Sequence, residues 1–390
     1  MMTSPKPMRD FSLEVFFSKW EFKAKHHMTA SDLETLTLSQ LLAMASEEDR
    51  EKYDNLTLGY TETWGAPELR ELIAGTYQTM QKDHVLCLAG AGEGIYALAR
   101  CLLTEKDHVI VPTPNYQSAE TIPLAICEVT GVPLIEDNTG QRGGWKLDIA
   151  GIKAAIRPNT KLLSINFPHN PTGYVLSAKE LEDIITLCRE NDIYLFSDEV
   201  YRGVELNSED QMPQIADLYE KGISLNVMSK AYGLPGLRIG WIASQDKEVL
   251  LKVERYKHFL SICNSAPSEQ LAIIALKNKD AILARNLNLM QRNVAELEQL
   301  FADYPGIIDW QRPLGGCVAF PRYIGPGNVE DFCKSLLEES GILLLPASIY
   351  ASDLNEVSKD RFRLGFGRDK VFTEGLKAMR QHFEANFSHL

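Results

Sequence analysis

Apolar runs of strand length alternate along this chain with longer stretches whose apolar residues recur at helical spacing. "VLCLAG" (85–90) is followed by "EGIYALARCLL" (93–103). "HVIVP" (108–112) runs into the polar loop "TPNYQS", and "KLLSINF" (161–167) precedes the amphipathic "SAKELEDIITLCREN". "IYLFS" (193–197), "ISLNVM" (223–228) and "LRIGWIA" (237–243) are further short β-rich runs. Strands alternating with helices predict a mostly parallel sheet, of the seven-stranded type, sandwiched by helices. This α/β region spans 51–270. Residues 268–304 read as long helices, and the tail mixes short strands with helices around "GGCVAFPRY", "GILLLPASIY" and "RFRLGFG". The division predicted is an N-terminal segment (1–50) over the cleft or on the smaller domain, a large α/β domain (51–270) and a smaller α+β domain (271–390).

In an open α/β sheet a ligand sits beyond the carboxyl ends of the strands. Five of the predicted strands end in polar, glycine-rich or aromatic residues. They are Ala89–Gly94, Pro114–Tyr116, Pro168–Gly173, Asp198–Tyr201, and the pair Ser229 and Lys230. Each alone is an ordinary loop. Together they place candidate chemistry along one edge of the sheet.

Composition narrows the field. Apolar residues make up 45% of 390 and charged residues 24%, which fits a globular chain of two or three domains. A net charge of −13 without a basic stripe argues against nucleic acid. No apolar run reaches the ~20 residues of a membrane span, and "MMTSPKPMRDF" lacks a secretory core, which predicts a cytoplasmic protein. The seven cysteines include no CxxC pair, so neither a disulfide frame nor a metal site is expected. The neighbouring His26 and His27 do not face one site on a regular element and read as a polar segment.

"SLNVMSKAYGLPGLRIGW" (224–241) carries the chemistry furthest. A lysine at a buried strand end is partly desolvated, and can condense with an aldehyde. "AGAGEG" opening a helix offers backbone N–H groups to a phosphate, although a plain helix cap explains it equally well. Ser229 and Arg238 could complete an anion clamp. Asp198 at the end of an apolar strand needs a cation or serves as a turn cap. Tyr116 can stack on a flat ring or simply fill a loop. An aldehyde, a phosphate, a ring nitrogen and a phenolic oxygen together describe pyridoxal 5′-phosphate.

On "NFPHNPTG", "SDEVY", "SKAYGLPGLRIGW" and "RFRLGFG", occurring in that order, the chain resembles the class I/II aminotransferases of fold type I over residues 50–385. The resemblance implies that Lys230 forms the Schiff base, that Asp198 pairs with the ring nitrogen, and that Asn170 and Tyr201 hold the phenolic oxygen. Tyr116 would stack on the ring, while Ala91, Gly92, Ser229 and Arg238 would hold the phosphate. Arg363 would clamp the substrate α-carboxylate, with Asn170 beside it. Tyr60 would reach the phosphate of a second subunit, implying a homodimer with shared active sites; the alternative is a core aromatic.

The family's glycine–proline stretch near the N-terminus is missing, since no glycine lies between Met1 and Gly59. Ser31 falls about where that stretch should be and is a substrate-binding candidate. Trp20, Phe22, Asp32 and Glu34 are further pocket candidates, set against a purely structural N-terminal segment. Here the chain resembles, more weakly, capreomycidine-synthase-like members, which implies an arginine-like substrate. The expected activity is amino transfer between an L-amino acid and a 2-keto acid. A lyase, cyclase or oxidase using the same residues is the alternative, and a non-catalytic ligand sensor is a remote one.

Overall fold

The computed structural model describes residues 7–137, 139 and 141–387. Seven strands form the main sheet: β1 (Val85–Leu88), β2 (His108–Thr113), β3 (Glu128–Pro133), β4 (Thr160–Asn166), β5 (Tyr194–Asp198), β6 (Gly222–Val227) and β7 (Gly240–Ser244). Their spatial order is β1-β7-β6-β5-β4-β2-β3, and only β7 runs antiparallel to its neighbours. The carboxyl ends of β1, β2, β4, β5 and β6 therefore share one edge, as the sequence pattern requires.

The period of two sorts side chains between the faces. Leu86, Leu88, Val109, Val111, Phe196 and Ile242 pack under helices α1 (Ala91–Leu102) and α2 (Lys247–Lys257). Their neighbours turn the other way. Ile110, Leu163 and Leu195 meet the helix Ala178–Glu190, and Cys87 and Trp241 meet the helix Ala266–Lys277. Ser177 starts the first of these helices with a capping box, its hydroxyl accepting from the Glu180 N–H while the Glu180 carboxylate takes the Ser177 N–H.

Two elements depart from the sequence reading. β3, "EVTGVP", escaped it because a glycine, a proline and polar residues dilute the apolar run at a sheet edge. The strand expected from residue 237 begins at Gly240. Pro235–Leu237 form a short 3₁₀ turn, and Arg238 has a left-handed backbone (φ 51°).

A second core gathers Phe332, Phe362, Phe366, Phe372 and Phe383 with Met290, Val294 and Leu297. It is built on the helices Lys279–Asp303, Val329–Ser340 and Lys370–Phe387, around three short strands in which Phe362–Gly365 is central. The 268–304 helical region is two helices, Ala266–Lys277 and Lys279–Asp303. The N-terminal segment joins both parts. His26–His27 add a parallel strand to Ile342–Leu343, and Gly365 N–H donates to the Met28 carbonyl (2.8 Å). Ahead of them, the helix Ser12–Trp20 lies over the sheet edge: Ser12 N–H donates to Gln117 Oε1 (2.9 Å), and Arg9 bonds Glu120 (2.8 Å) and the Ala351 carbonyl (2.8 Å).

Candidate active site

Lys230 follows β6 in a tight turn held by Met228 N–H to Ile239 O (2.9 Å) and Gly233 N–H to Lys230 O (2.9 Å), with Gly233 at φ 67°. A left-handed residue suits glycine there. Lys230 Nζ donates to Ser31 Oγ (2.9 Å), and Tyr201 Oη donates to the Ser31 carbonyl (2.8 Å). Ser31 thus joins the lysine to the tyrosine. Burial pushes the Lys230 ammonium below its ordinary value, and Asp32, Cys317 and Asp198 oppose that shift.

Asp198 ends β5 opposite Asn166. Its Oδ1 accepts the Val200 N–H (3.2 Å). Burial pushes its carboxyl up to about 6; the Val200 N–H and the charge of Lys230 oppose this. Among the described residues no cation lies within ion-pair distance of it. It lines a cavity with Tyr116, Ser118, Asn166 and His169. Tyr116 packs on Phe11 (ring centroids 5.0 Å apart) and donates its hydroxyl to Glu14 (3.3 Å).

The turn after β1 leads into α1 through Gly90 (φ 98°). Ala91 and Gly92 open the helix, where backbone N–H groups have no intrahelical partner. Gly240 lies so close that a Cβ there would stand 2.8 Å from the Gly90 carbonyl carbon and 3.0 Å from Ala91 N. A Cβ at Gly90 would stand 2.7 Å from Arg238 Nη2. Arg238, held by Pro235 O (3.2 Å), thus lies beside the helix start. Met228 and Ser229 lie between β6's end and Lys230. Tyr60 is 91% exposed, away from any core.

Arg363, in the central strand of the smaller sheet, is 0% exposed. Its Nη1 donates to Tyr350 Oη (2.7 Å) and Asn170 Oδ1 (3.3 Å), and its Nη2 to the Thr29 carbonyl (2.8 Å). Tyr350 donates to the same Asn170 oxygen (3.0 Å). No carboxylate pairs with this guanidinium among the described residues. The Phe17 ring lies over it (5.8 Å) and against His27 (5.3 Å).

Sequence reasoning missed several of these neighbours. His27 is half-buried beside Arg363, and burial with that positive charge pushes its imidazole down to about 4. Its reading as no more than a polar segment is corrected: the strand to Ile342–Leu343 turns the segment inward. Glu14, Phe17 and Glu21 lie at i, i+3 and i+7, one stripe of a helix. This stripe faces the site, since Glu14 meets Tyr116 and Phe17 meets Arg363. Burial, then the charges of Glu14 and Asp32, push Glu21 up, while Arg368 and Lys230 lower it. The helical spacing was visible; the target of the stripe was not. Of the pocket candidates, Asp32 pairs with Arg368 (2.7 Å), and the Glu34 carboxylate accepts the Asp369 N–H (2.8 Å). Trp20 and Phe22 are 37% and 94% exposed, so Phe22 stands outside the buried cluster.

The seven-stranded, mostly parallel sheet with Lys230 and Asp198 following its strands at one edge is the architecture of the fold type I pyridoxal 5′-phosphate enzymes. The chain belongs to the family described as aminotransferase class I and II, whose model matches residues 26–379. It is 27% identical to capreomycidine synthase of Streptomyces vinaceus, across 97% of this chain and 94% of that one. It superposes on a PLP-dependent aminotransferase from Streptococcus suis 89-1591 with a TM-score of 0.89 and 30% identity, covering 97% and 99% of the two chains. A PLP-dependent cyclase, OrfR, gives a TM-score of 0.85 and 25% identity over 98% and 100%. The cofactor is pyridoxal 5′-phosphate, and the residues present fit it. Asp198 lacks the cation that a protonated ring nitrogen would supply, and the close Gly90–Gly240 approach sets the helix start beside the Arg238 guanidinium, a cradle for an anion.

Proposed function

We propose that the chain is an aminotransferase that moves an amino group between an L-amino acid and a 2-keto acid, with its cofactor carried on Lys230. The observation that carries this reading is the meeting of two opposite needs: among the described residues Asp198, at the main sheet's carboxyl edge, is buried without a cation, and Arg363, bonded to Asn170 from the smaller sheet, is buried without a carboxylate. Pyridoxal phosphate, when bound, supplies an aldehyde carbon and an electron-poor ring that accepts charge from the substrate α-carbon. Asp198 keeps the ring nitrogen protonated, and Tyr116 covers the ring. Asn170 and Tyr201 serve the phenolic oxygen. Ala91, Gly92, Ser229 and Arg238 hold the phosphate. Arg363 fixes the substrate α-carboxylate, with Tyr350 and Thr29 fixing the guanidinium. Lys230, whose amine is made less basic by burial, would take up the substrate's α-proton and hold it for return. Ser31 orients the amine and completes the substrate side of the pocket.

The exposure of Tyr60 supports a homodimer in which this hydroxyl reaches the second subunit's phosphate, and we place the enzyme in the cytoplasm. A second reading, a lyase or cyclase acting on an arginine-like amino acid, is favoured by Glu14, bonded to Tyr116, and by Glu21, which feels the charges of Glu14 and Lys230. The relatives named a capreomycidine synthase and a cyclase support it as well.

The test is a spectral screen of amino acids against the purified enzyme, followed by product identification. Amino transfer yields more than one keto acid per active site only when an acceptor restores the cofactor. Ammonia or a cyclised product without an acceptor supports the second reading. Lys230→Ala should abolish turnover, and retention of a near wild-type rate would overturn the assignment.

A further inference from the structure

Lys257, in the last turn of α2, is 0% exposed and takes no part in the site described above. A lysine is almost never fully buried without partners. This one places its three donors on three different segments. Nζ donates to the Thr63 carbonyl (2.7 Å), the Cys87 carbonyl (2.8 Å) and Asn264 Oδ1 (3.2 Å). Thr63 lies on the segment that presents Tyr60. Cys87 lies in β1, which feeds the phosphate turn at Gly90. Asn264 closes the loop 258–264.

Neighbouring contacts tighten the same knot. Thr61 Oγ1 donates to the Asn264 carbonyl (2.9 Å), and Cys87 N–H to the Trp64 carbonyl (2.9 Å). Glu93, in the first turn of α1, accepts the Ala89 N–H (2.5 Å) and the Ser261 N–H (3.2 Å). Gly65 packs on Cys87 so closely that a Cβ would stand 2.6 Å from its Sγ. The phosphate turn, the Tyr60 segment and the loop 258–264 are therefore tied to one another through these bonds. The latter two carry exposed apolar side chains: Leu58 and Phe259 are each 86% exposed, and Ile262 holds a left-handed backbone (φ 65°). A β-branched residue persists in that conformation only when its surroundings impose it. The Ile262 N–H to Lys257 carbonyl bond (3.0 Å) is one such constraint.

We propose that Lys257 is a positioning residue for the cofactor phosphate, setting its own subunit's phosphate turn through Cys87 and the partner-directed Tyr60 through Thr63. The proposal rests on the reading of Tyr60 given above. Removing the ammonium leaves the buried Cys87 carbonyl and the half-buried Thr63 carbonyl without this donor and unties the segments. Phosphate affinity then falls in both cups, while the ring pocket around Asp198 is untouched.

The test measures Kd for pyridoxal phosphate and for pyridoxal, by absorbance titration of apoenzyme, in wild type and Lys257→Met. The phosphate's share of affinity is the ratio of the two constants. The expected result is a fall of at least about tenfold in that ratio, with pyridoxal affinity within about twofold of wild type. Asn264→Ala removes one of the three acceptors and should lower the ratio about threefold, even if Lys257→Met does not fold. An unchanged ratio, or an equal loss for both ligands, overturns the proposal. A wild-type chain that takes up neither ligand overturns the functional reading as well, whereas normal uptake with an unchanged ratio overturns this inference alone.

Discussion

Asp198→Asn separates what the aspartate costs the empty protein from what it does for the loaded one. Burial lifts the carboxyl from 3.8 to about 6. The two values differ by about 2, which at about 1.4 kcal/mol per pH unit is about 3 kcal/mol. The folded chain holds this proton to higher pH than the unfolded chain does. Stability of the apo form therefore falls as pH rises from about 4 to about 6, and the whole cost is present at pH 7. Asparagine removes the charge and still offers an oxygen to the Val200 N–H. Apo Asp198→Asn should thus be more stable than apo wild type by up to about 3 kcal/mol at pH 7, and by less than about 1 kcal/mol at pH 4. Glu199, lifted to about 7 by its own burial, titrates in both proteins and cancels in the comparison. The assay is urea unfolding of both apo proteins at the two pH values and one protomer concentration, followed by the same pair with cofactor. Loaded, the order should reverse, because the variant has no anion for the ring nitrogen, and its kcat should fall by about 10³. A variant no more stable than wild type at pH 7, or equally stabilised at pH 4, would refute the reasoning.

Other changes address the remaining contacts. Arg363→Lys loses the bonds to Tyr350 and Thr29 and the fork proposed to bind the substrate carboxylate, so steady-state kinetics should show KM for the amino acid raised about 10- to 100-fold. Gly240→Ala forces a Cβ to 2.8 Å from the Gly90 backbone, and absorbance titration should show pyridoxal phosphate affinity at least about tenfold weaker, with less effect on pyridoxal. Tyr60→Phe should weaken the cofactor about tenfold, and a mixed dimer with an inactive subunit should locate the defect in the opposite site.

Much of the sheet edge was legible because parallel strands, buried on both faces, read as short apolar runs, and their polar ends stand out. Lys230, Asp198 and Asn170 each follow such a run. β3 was illegible because edge strands need not be apolar. Arg238 was read as part of a strand because its left-handed backbone leaves no mark beyond the glycines around it. His27, Glu14, Glu21 and Tyr350 were missed for a common reason. They reach the site through pairings between distant segments: His26–His27 with Ile342–Leu343, Ser12 at the start of the N-terminal helix with Gln117, and Tyr350 with Arg363 and Asn170, and no local pattern encodes those. Lys257 escaped because a lone lysine in an amphipathic helix looks like solvent-facing charge.

The most direct test of amino transfer at Lys230 uses an amino acid labelled with ¹⁵N at its α-nitrogen and an unlabelled 2-keto acid. The wild-type enzyme should deliver the label into the amino acid formed from the acceptor, one for each keto acid released, and Lys230→Ala should deliver none. Label recovered as ammonia, or retained in a rearranged form of the donor, would contradict the account.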